Sequence, residues 1–209
     1  MLKNKLITII GPIASGKTTV SHILSRELNL PLVDADLFEQ NPFLPGYIKD
    51  NPRWAFATEL FFTIKRIKKL KSLNRLLKKS SVIVDSGLIM SHHVYTKNHL
   101  VQCNMTAAEW DFFSEIISDY QKDLPNPDII IQLLAKPTTQ LKRIKRRGRS
   151  FESSYTLEYL KQITDRLDEY TRMIQTKKEI NHITFDTENK NIYSKKYQQE
   201  FLDSIKILI

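Results

Sequence analysis

The chain has 209 residues, 41% hydrophobic and 26% charged, which is enough for one well-buried domain and short for two. No apolar run reaches the ~20 residues that cross a bilayer, the first ten residues lack the apolar core of a secretion signal, and a single cysteine, Cys103, excludes a disulfide framework and fits a reducing cytoplasm. The net charge of +9 points to an anionic partner, and nucleic acid, membrane phosphates and small phosphorylated ligands all qualify.

The run Leu6-Ile7-Thr8-Ile9-Ile10 predicts a strand buried on both faces. A loop follows from Gly11 to Gly16, then a helix from Thr18 to Leu28 and a second strand at Leu32-Val33. Asp34 to Gly46, with two X-Pro steps, predicts loop with a turn of helix. Arg53 to Lys79 predicts one long amphipathic helix; Ile64, Ile67, Leu70 and Leu73 recur between basic residues, so its cluster from Lys65 to Lys79 reads as a solvated face. Ser81–Asp85 predicts a third strand, Glu109–Lys122 a helix, and Asp128–Leu134 a fourth strand. A helix from Pro137 to Arg147, another from Tyr155 to Lys178, a strand from Ile180 to Phe185 and a helix from Tyr193 to Leu208 complete the chain. Alternating strands and helices predict an α/β fold: a parallel sheet with right-handed crossovers, in one domain over residues 1–209.

Gly11-Pro12-Ile13-Ala14-Ser15-Gly16-Lys17-Thr18 fits G-x-x-x-x-G-K-[ST] in full, between a buried strand and a helix. Glycines let backbone N–H groups turn inward onto phosphate oxygens, and the helix start adds its dipole and free N–H groups. Lys17 then reaches the β- and γ-phosphates and the Thr18 hydroxyl serves Mg²⁺. The expected ATP-binding set is Gly11, Pro12, Ile13, Ala14, Ser15, Gly16, Lys17, Thr18 and Thr19 with Arg143 and Arg147.

Three features favour a small-molecule kinase over a motor or a GTPase. The chain has no room for a motor's second domain. The segment Arg143-Ile144-Lys145-Arg146-Arg147-Gly148-Arg149 puts clustered Arg at a helix end that breaks at glycine, suited to a lid that carries charge to a transferring phosphoryl group and excludes water. Asp85 ends a buried strand, where a Mg²⁺ ligand belongs, and Asp36 follows a strand by three residues, where it could take a proton from an attacking hydroxyl. Turn formation and helix capping are the bland alternatives for these carboxylates. His92, His93 and His99 lack ligand spacing and read as surface or core histidines, Trp110 and Phe112-Phe113 as packing, and Phe185-Asp186-Thr187 as a possible border of the adenine.

Taken together, these residues resemble the deoxynucleoside kinase family, above all its bacterial deoxyguanosine/deoxyadenosine kinase branch. The likeness runs from the P-loop to about Tyr170, through Glu39-Gln40-Asn41-Pro42-Phe43-Leu44, Trp54 to Phe62, Asp123 to Asp128, and Arg143 to Glu152. It implies a five-stranded P-loop kinase with an Arg-rich lid at about 143–153. It also implies transfer of the ATP γ-phosphoryl group to a nucleoside 5′-hydroxyl with Mg²⁺, and a homodimer; no membrane or nucleic-acid partner is expected. By the same resemblance Asp36 is the base, where relatives usually carry glutamate. Glu59 reads the nucleobase, Tyr47 lies near the tyrosine on the sugar 3′-hydroxyl, Glu152 matches the lid glutamate on that hydroxyl, and Arg143, Arg147 and Arg149 surround the phosphates. The family's acid-Arg-Ser motif appears as Asp85-Ser86-Gly87, without its arginine.

An ionised Glu59 is acceptor-only and can take both N1–H and the 2-amino group of guanine, whereas adenine sets acceptors beside its one amino donor. The wrong base would leave the carboxylate unpaired at ~2–5 kcal/mol. Phe56 and the neighbouring aromatics are expected either to stack on the base or to belong to the core. The residues alone leave open a kinase of deoxyadenosine, deoxycytidine or another small molecule, and a non-catalytic nucleotide- or nucleic-acid-binding regulator.

Overall fold

The computed structural model describes residues 4–34, 40–176 and 180–209. Five strands, β1 (Leu6–Ile10), β2 (Leu32–Val33), β3 (Val82–Asp85), β4 (Ile129–Leu134) and β5 (Asn181–Asp186), form one sheet in the order β2-β3-β1-β4-β5. Every pairing is parallel, as the alternation of elements predicts. β1 is buried along its whole length because helices cover both faces. Its Ile7 and Ile9 pack with α1 (Lys17–Leu28) and α10 (Lys195–Lys206) through Leu24, Phe201 and Ile205. On the other face Leu6, Val82 and Val84 meet α3 (Asn51–Leu70) and α7 (Ala107–Gln121), while Ile10 and Ile130 meet α8 (Pro137–Arg147) and α9 (Leu157–Gln175).

Two departures from the sequence reading shape the site. The helix predicted over 53–79 ends at Leu70 and resumes as α4 (Leu73–Leu77), after the short α2 (Leu44–Lys49) and α3. At the break, Ser72 Oγ donates to the Lys69 carbonyl at 2.9 Å, a local bond that competes with the helix ladder, and the turn carries Leu73 into the core beside Leu70. The other departure is a helical rod in 86–108, where no element was predicted. It consists of α5 (Gly87–Ile89), seven π-helical residues (Met90–Thr96) and α6 (Lys97–Val101). Its buried residues include Ser91, Thr96, Asn98 and His99, so no apolar stripe announces it.

The C-terminal ends of β1 and β3 open onto a cleft of about 1060 Å³, including its mouth, bounded by the P-loop, α2, α3, the π-helical rod and the start of α9. Ligands of open parallel sheets bind at this edge.

Candidate active site

The P-loop leaves β1 at Gly11, where a Cβ would lie 2.6 Å from Ser15 Oγ and 3.2 Å from the Leu133 carbonyl; only glycine lets the loop close this tightly. Gly16 has φ 98° and starts α1, with Val20 N–H donating to its carbonyl at 2.9 Å. Lys17 Nζ donates to the Gly11 and Pro12 carbonyls, each at 2.9 Å, which uses two of its three protons and points the ammonium into the cleft. Burial lowers its pKa to about 8, against the pull of Asp85.

Across the loop, the Thr18 hydroxyl donates to Asp85 Oδ2 at 3.0 Å. Burial raises the Asp85 pKa, and Lys17 and Thr18 restrain it. A hydroxyl and a carboxylate facing one another at the phosphate end are hard oxygen donors, the set Mg²⁺ uses when phosphates and water supply its remaining ligands. Ser86, where the family arginine is missing, lines the cleft with φ 60°, a backbone conformation uncommon outside glycine. Asp36 lies outside the described residues. Its neighbour Asp34 lines the cleft, with its carboxylate 3.6 Å from Lys69 Nζ and 3.7 Å from His22 Nε2.

The inward stripe of α3 runs Ala55, Thr58, Glu59, Phe62, Thr63, Arg66, Ile67, Leu70 at helical spacing. Thr58, Glu59, Phe62 and Arg66 are its members that wall the cleft. Glu59 is 7% exposed, its Oε2 has no hydrogen-bond partner among the described residues, and burial raises its pKa to about 7 against the opposing pull of Arg66 and Thr96. Arg66 is held by a 2.7 Å bond from its Nη1 to Ser91 Oγ on the rod. Arg66 belongs to a basic cluster whose lysines read mostly as a solvated face; the signal that separates it is its spacing of seven from Glu59, two turns on along the same side. Phe56 is a correction: it does not line the cleft but packs on the α7 core cluster, 6.3 Å from the ring of Phe112. Phe62, three residues past Glu59, is the aromatic in the cleft, with Tyr95, Tyr155 and Tyr159 as neighbours that the motifs did not reveal. Tyr47 lines the cleft as expected.

The raised Glu59 pKa gives a stability prediction. The folded chain holds this proton up to about pH 7, whereas an unfolded glutamate loses it near 4.5. The associated stability is complete below pH 4.5 and is lost as pH rises through 7, where a buried charge remains. Glu59→Gln is therefore expected to stabilise the fold at pH 8, by up to about 3 kcal/mol, and to have little effect at pH 4. Denaturant unfolding at both pH values checks this.

At the far end of α8, which stops at Gly148 (φ 67°), Arg147 Nε donates to Glu152 Oε2 at 2.6 Å and Arg147 Nη2 donates to Oε1 of the same residue. Glu152 is 2% exposed; it, Arg147 and Arg149 all line the cleft. Arg143 sits elsewhere, outside the cleft lining: its guanidinium bonds the Ala14 carbonyl and Thr187, tying the P-loop to the turn after β5. Of the predicted adenine border, Phe185 belongs to the core against Phe201, Thr187 is tied to the P-loop through Arg143, and Asp186 lines a second pocket together with Pro12. His92 stacks on Trp110 and His93 on Tyr170, in line with packing roles.

A P-loop, a hydroxyl–carboxylate pair and the Arg147–Glu152 ion pair thus share one cleft with the buried Glu59. The family model described as deoxynucleoside kinase matches residues 7–209. The chain is similar to the deoxyguanosine kinase of Bacillus subtilis, 29% identical over 187 residues covering 88% of this chain and 87% of that one. It is also similar to the deoxyadenosine kinase of Lactobacillus acidophilus, 28% identical over 171 residues covering 79% and 77%. Its fold is similar to that of the M. mycoides deoxyadenosine kinase solved with dCMP and dCDP, with TM-score 0.82, 22% identity and coverage of 96% and 98%. The non-catalytic alternative is thereby set aside: the chain is an ATP-dependent phosphotransferase and belongs to the deoxynucleoside kinase family.

Proposed function

We propose that this kinase phosphorylates the 5′-hydroxyl of a purine deoxynucleoside, with deoxyguanosine preferred. The observation that carries the reading is Glu59, a buried carboxylate with one oxygen unpaired, aimed into the cleft that also holds Lys17. Beside it the Arg66 Nε is buried without a partner among the described residues. An acceptor next to a donor complements guanine, whose N1–H and 2-amino donors adjoin the O6 acceptor. The B. subtilis deoxyguanosine kinase relative supports the same choice. The second reading, deoxyadenosine, has its own support: a Glu59 that keeps its proton to about pH 7 offers one donor and one acceptor, the pattern adenine needs.

In this mechanism the P-loop amides and Lys17 hold the phosphates, and Asp36 takes the 5′-hydroxyl proton. Arg147 and Arg149, on a lid at about 143–153, meet the charge that spreads over the transferring group. Glu152 orients Arg147 through its two hydrogen bonds and, like Tyr47, takes the sugar; that both line the cleft supports this role. Arg143 acts on ATP indirectly, by bracing the loop. Thr18 and Asp85 would hold Mg²⁺, which neutralises phosphate charge when bound.

Deoxyguanosine and deoxyadenosine turnover by wild type and Glu59→Gln tests the base assignment. The amide is expected to shift the kcat/KM ratio toward deoxyadenosine by roughly 10-fold or more at pH 8. An unchanged ratio removes Glu59 from base recognition. We further propose a cytoplasmic homodimer joined through α3 and α7, where Phe112 is 53% exposed against Phe56. The mass in solution tests the dimer: a monomer at micromolar concentration contradicts it.

A further inference from the structure

We propose that His99 is a specificity-determining residue: from behind the pocket its Nε2–H keeps Glu59 a carboxylate toward the base, and so favours deoxyguanosine over deoxyadenosine. The inference rests on the function proposed above and adds a residue that does not line the cleft. His99 lies on α6, is 2% exposed, and places Nε2 3.2 Å from the Tyr47 hydroxyl and 3.8 Å from Glu59 Oε1. One ring atom thus faces both the residue placed at the base and the one placed at the sugar.

The charge and tautomer of that ring decide what it does. Burial holds the His99 pKa down to about 4, so the ring is neutral at working pH and forms no ion pair with Glu59. Its Nδ1 is buried with no partner among the described residues. One nitrogen must carry the proton. Placing it on Nδ1 would bury an orphaned donor and turn a lone pair toward the Glu59 carboxylate. Placing it on Nε2 leaves only an unfilled acceptor, the commoner kind of orphan. It also directs a positive N–H dipole at the carboxylate and at Tyr47 Oη, leaving the tyrosine's own proton for the sugar.

Arg66 and Thr96 also draw the Glu59 pKa down, but both act as constants over the working pH range. Arg66 is a fixed cation. Burial pushes the phenols of Tyr47, Tyr95, Tyr155 and Tyr159 above their ordinary range, so they stay neutral up to pH 9. Thr96 offers a hydroxyl that does not titrate. Lys17, with a pKa of about 8, also titrates in this cleft, but it is held at the P-loop carbonyls and acts on both nucleosides alike. Beside the base, Glu59 is therefore the group that changes charge between pH 5.5 and 9, and the His99 donor is proposed to shift where it does so.

The test measures kcat/KM for deoxyguanosine and deoxyadenosine from pH 5.5 to 9 in wild type, His99→Phe and His99→Gln. In wild type the deoxyguanosine:deoxyadenosine ratio should climb with pH to a plateau. His99→Phe keeps a buried ring without the donor; its midpoint should move up by about one pH unit and its ratio at pH 7.5 should fall about tenfold. His99→Gln, which returns an N–H, should recover most of the wild-type curve. A wild-type ratio that is flat with pH, or a His99→Phe curve that scales both nucleosides equally with an unmoved midpoint, overturns the inference. Should His99→Phe fail to fold, the ring ¹⁵N shifts of the wild type decide: protonation at Nε2 supports it and protonation at Nδ1 overturns it. Turnover with a flat ratio defeats this inference alone, whereas no turnover of any deoxynucleoside by the wild type defeats the function beneath it as well.

Discussion

Lys17→Ala is expected to lower kcat by on the order of 10²–10³-fold while the protein remains folded. The ammonium is fixed between two loop carbonyls and has one proton left for the cleft, so it meets phosphate charge without reorganising. Its pKa of about 8 means that the fold disfavours the cation when only the protein surrounds it. Removing that cation should not cost stability, and thermal unfolding of the variant should match or exceed wild type. Lys17→Arg should be nearly as inactive, because a planar guanidinium cannot occupy a site shaped by the carbonyls of Gly11 and Pro12. Steady-state rates at saturating ATP, with a melting curve for each variant, check the pair; a Lys17→Ala enzyme within a few-fold of wild type would take the lysine out of the chemistry.

Asp36→Asn should cost on the order of 10²–10⁴-fold in kcat, the range for losing a general base. Two carboxylates of the described structure compete for that role, and their surroundings separate them. Asp34 lines the cleft but lies close to Lys69 and His22. Asp85 accepts from Thr18, the residue proposed to share the metal with it. Asp34→Asn should therefore lower kcat only a few-fold. Asp85→Asn should be rescued in part by higher Mg²⁺, a dependence that Asp36→Asn should not show. If Asp34→Asn proves the more damaging of the two β2-proximal substitutions, the base is Asp34.

What the sequence discloses and what it hides divide along physical lines. The strands and the P-loop were legible because both are local: β1 is an unbroken β-branched run, and a glycine turn between a strand and a helix has one evident use. The Arg147–Glu152 couple was half legible, since its members stand five residues apart, though their mutual bond needed the chain to turn at Gly148. Arg66 was masked by the lysines around it on a helix with a basic outer face; its spacing from Glu59 hints at the inward side, and its bond to Ser91, 25 residues away, holds it there. The π-helical rod was hidden more thoroughly. It buries polar side chains, and its wider turn breaks the 3.6-residue period that reveals ordinary helices. That rod carries Tyr95 and Thr96 and continues into His99, so much of the recess around Glu59 lay where periodicity was silent. Phe56 erred in the opposite sense: it and Phe62 each stand three residues from Glu59, on opposite flanks of its position, and the cleft lies on the Phe62 flank while Phe56 packs on the core cluster.

The most direct test of the central claim supplies γ-labelled ATP and Mg²⁺ with each of the four deoxynucleosides in turn and follows the label. It should appear as a 5′-monophosphate, fastest with deoxyguanosine above pH 7. Label released only as inorganic phosphate, with no nucleoside monophosphate from any of the four, would contradict it.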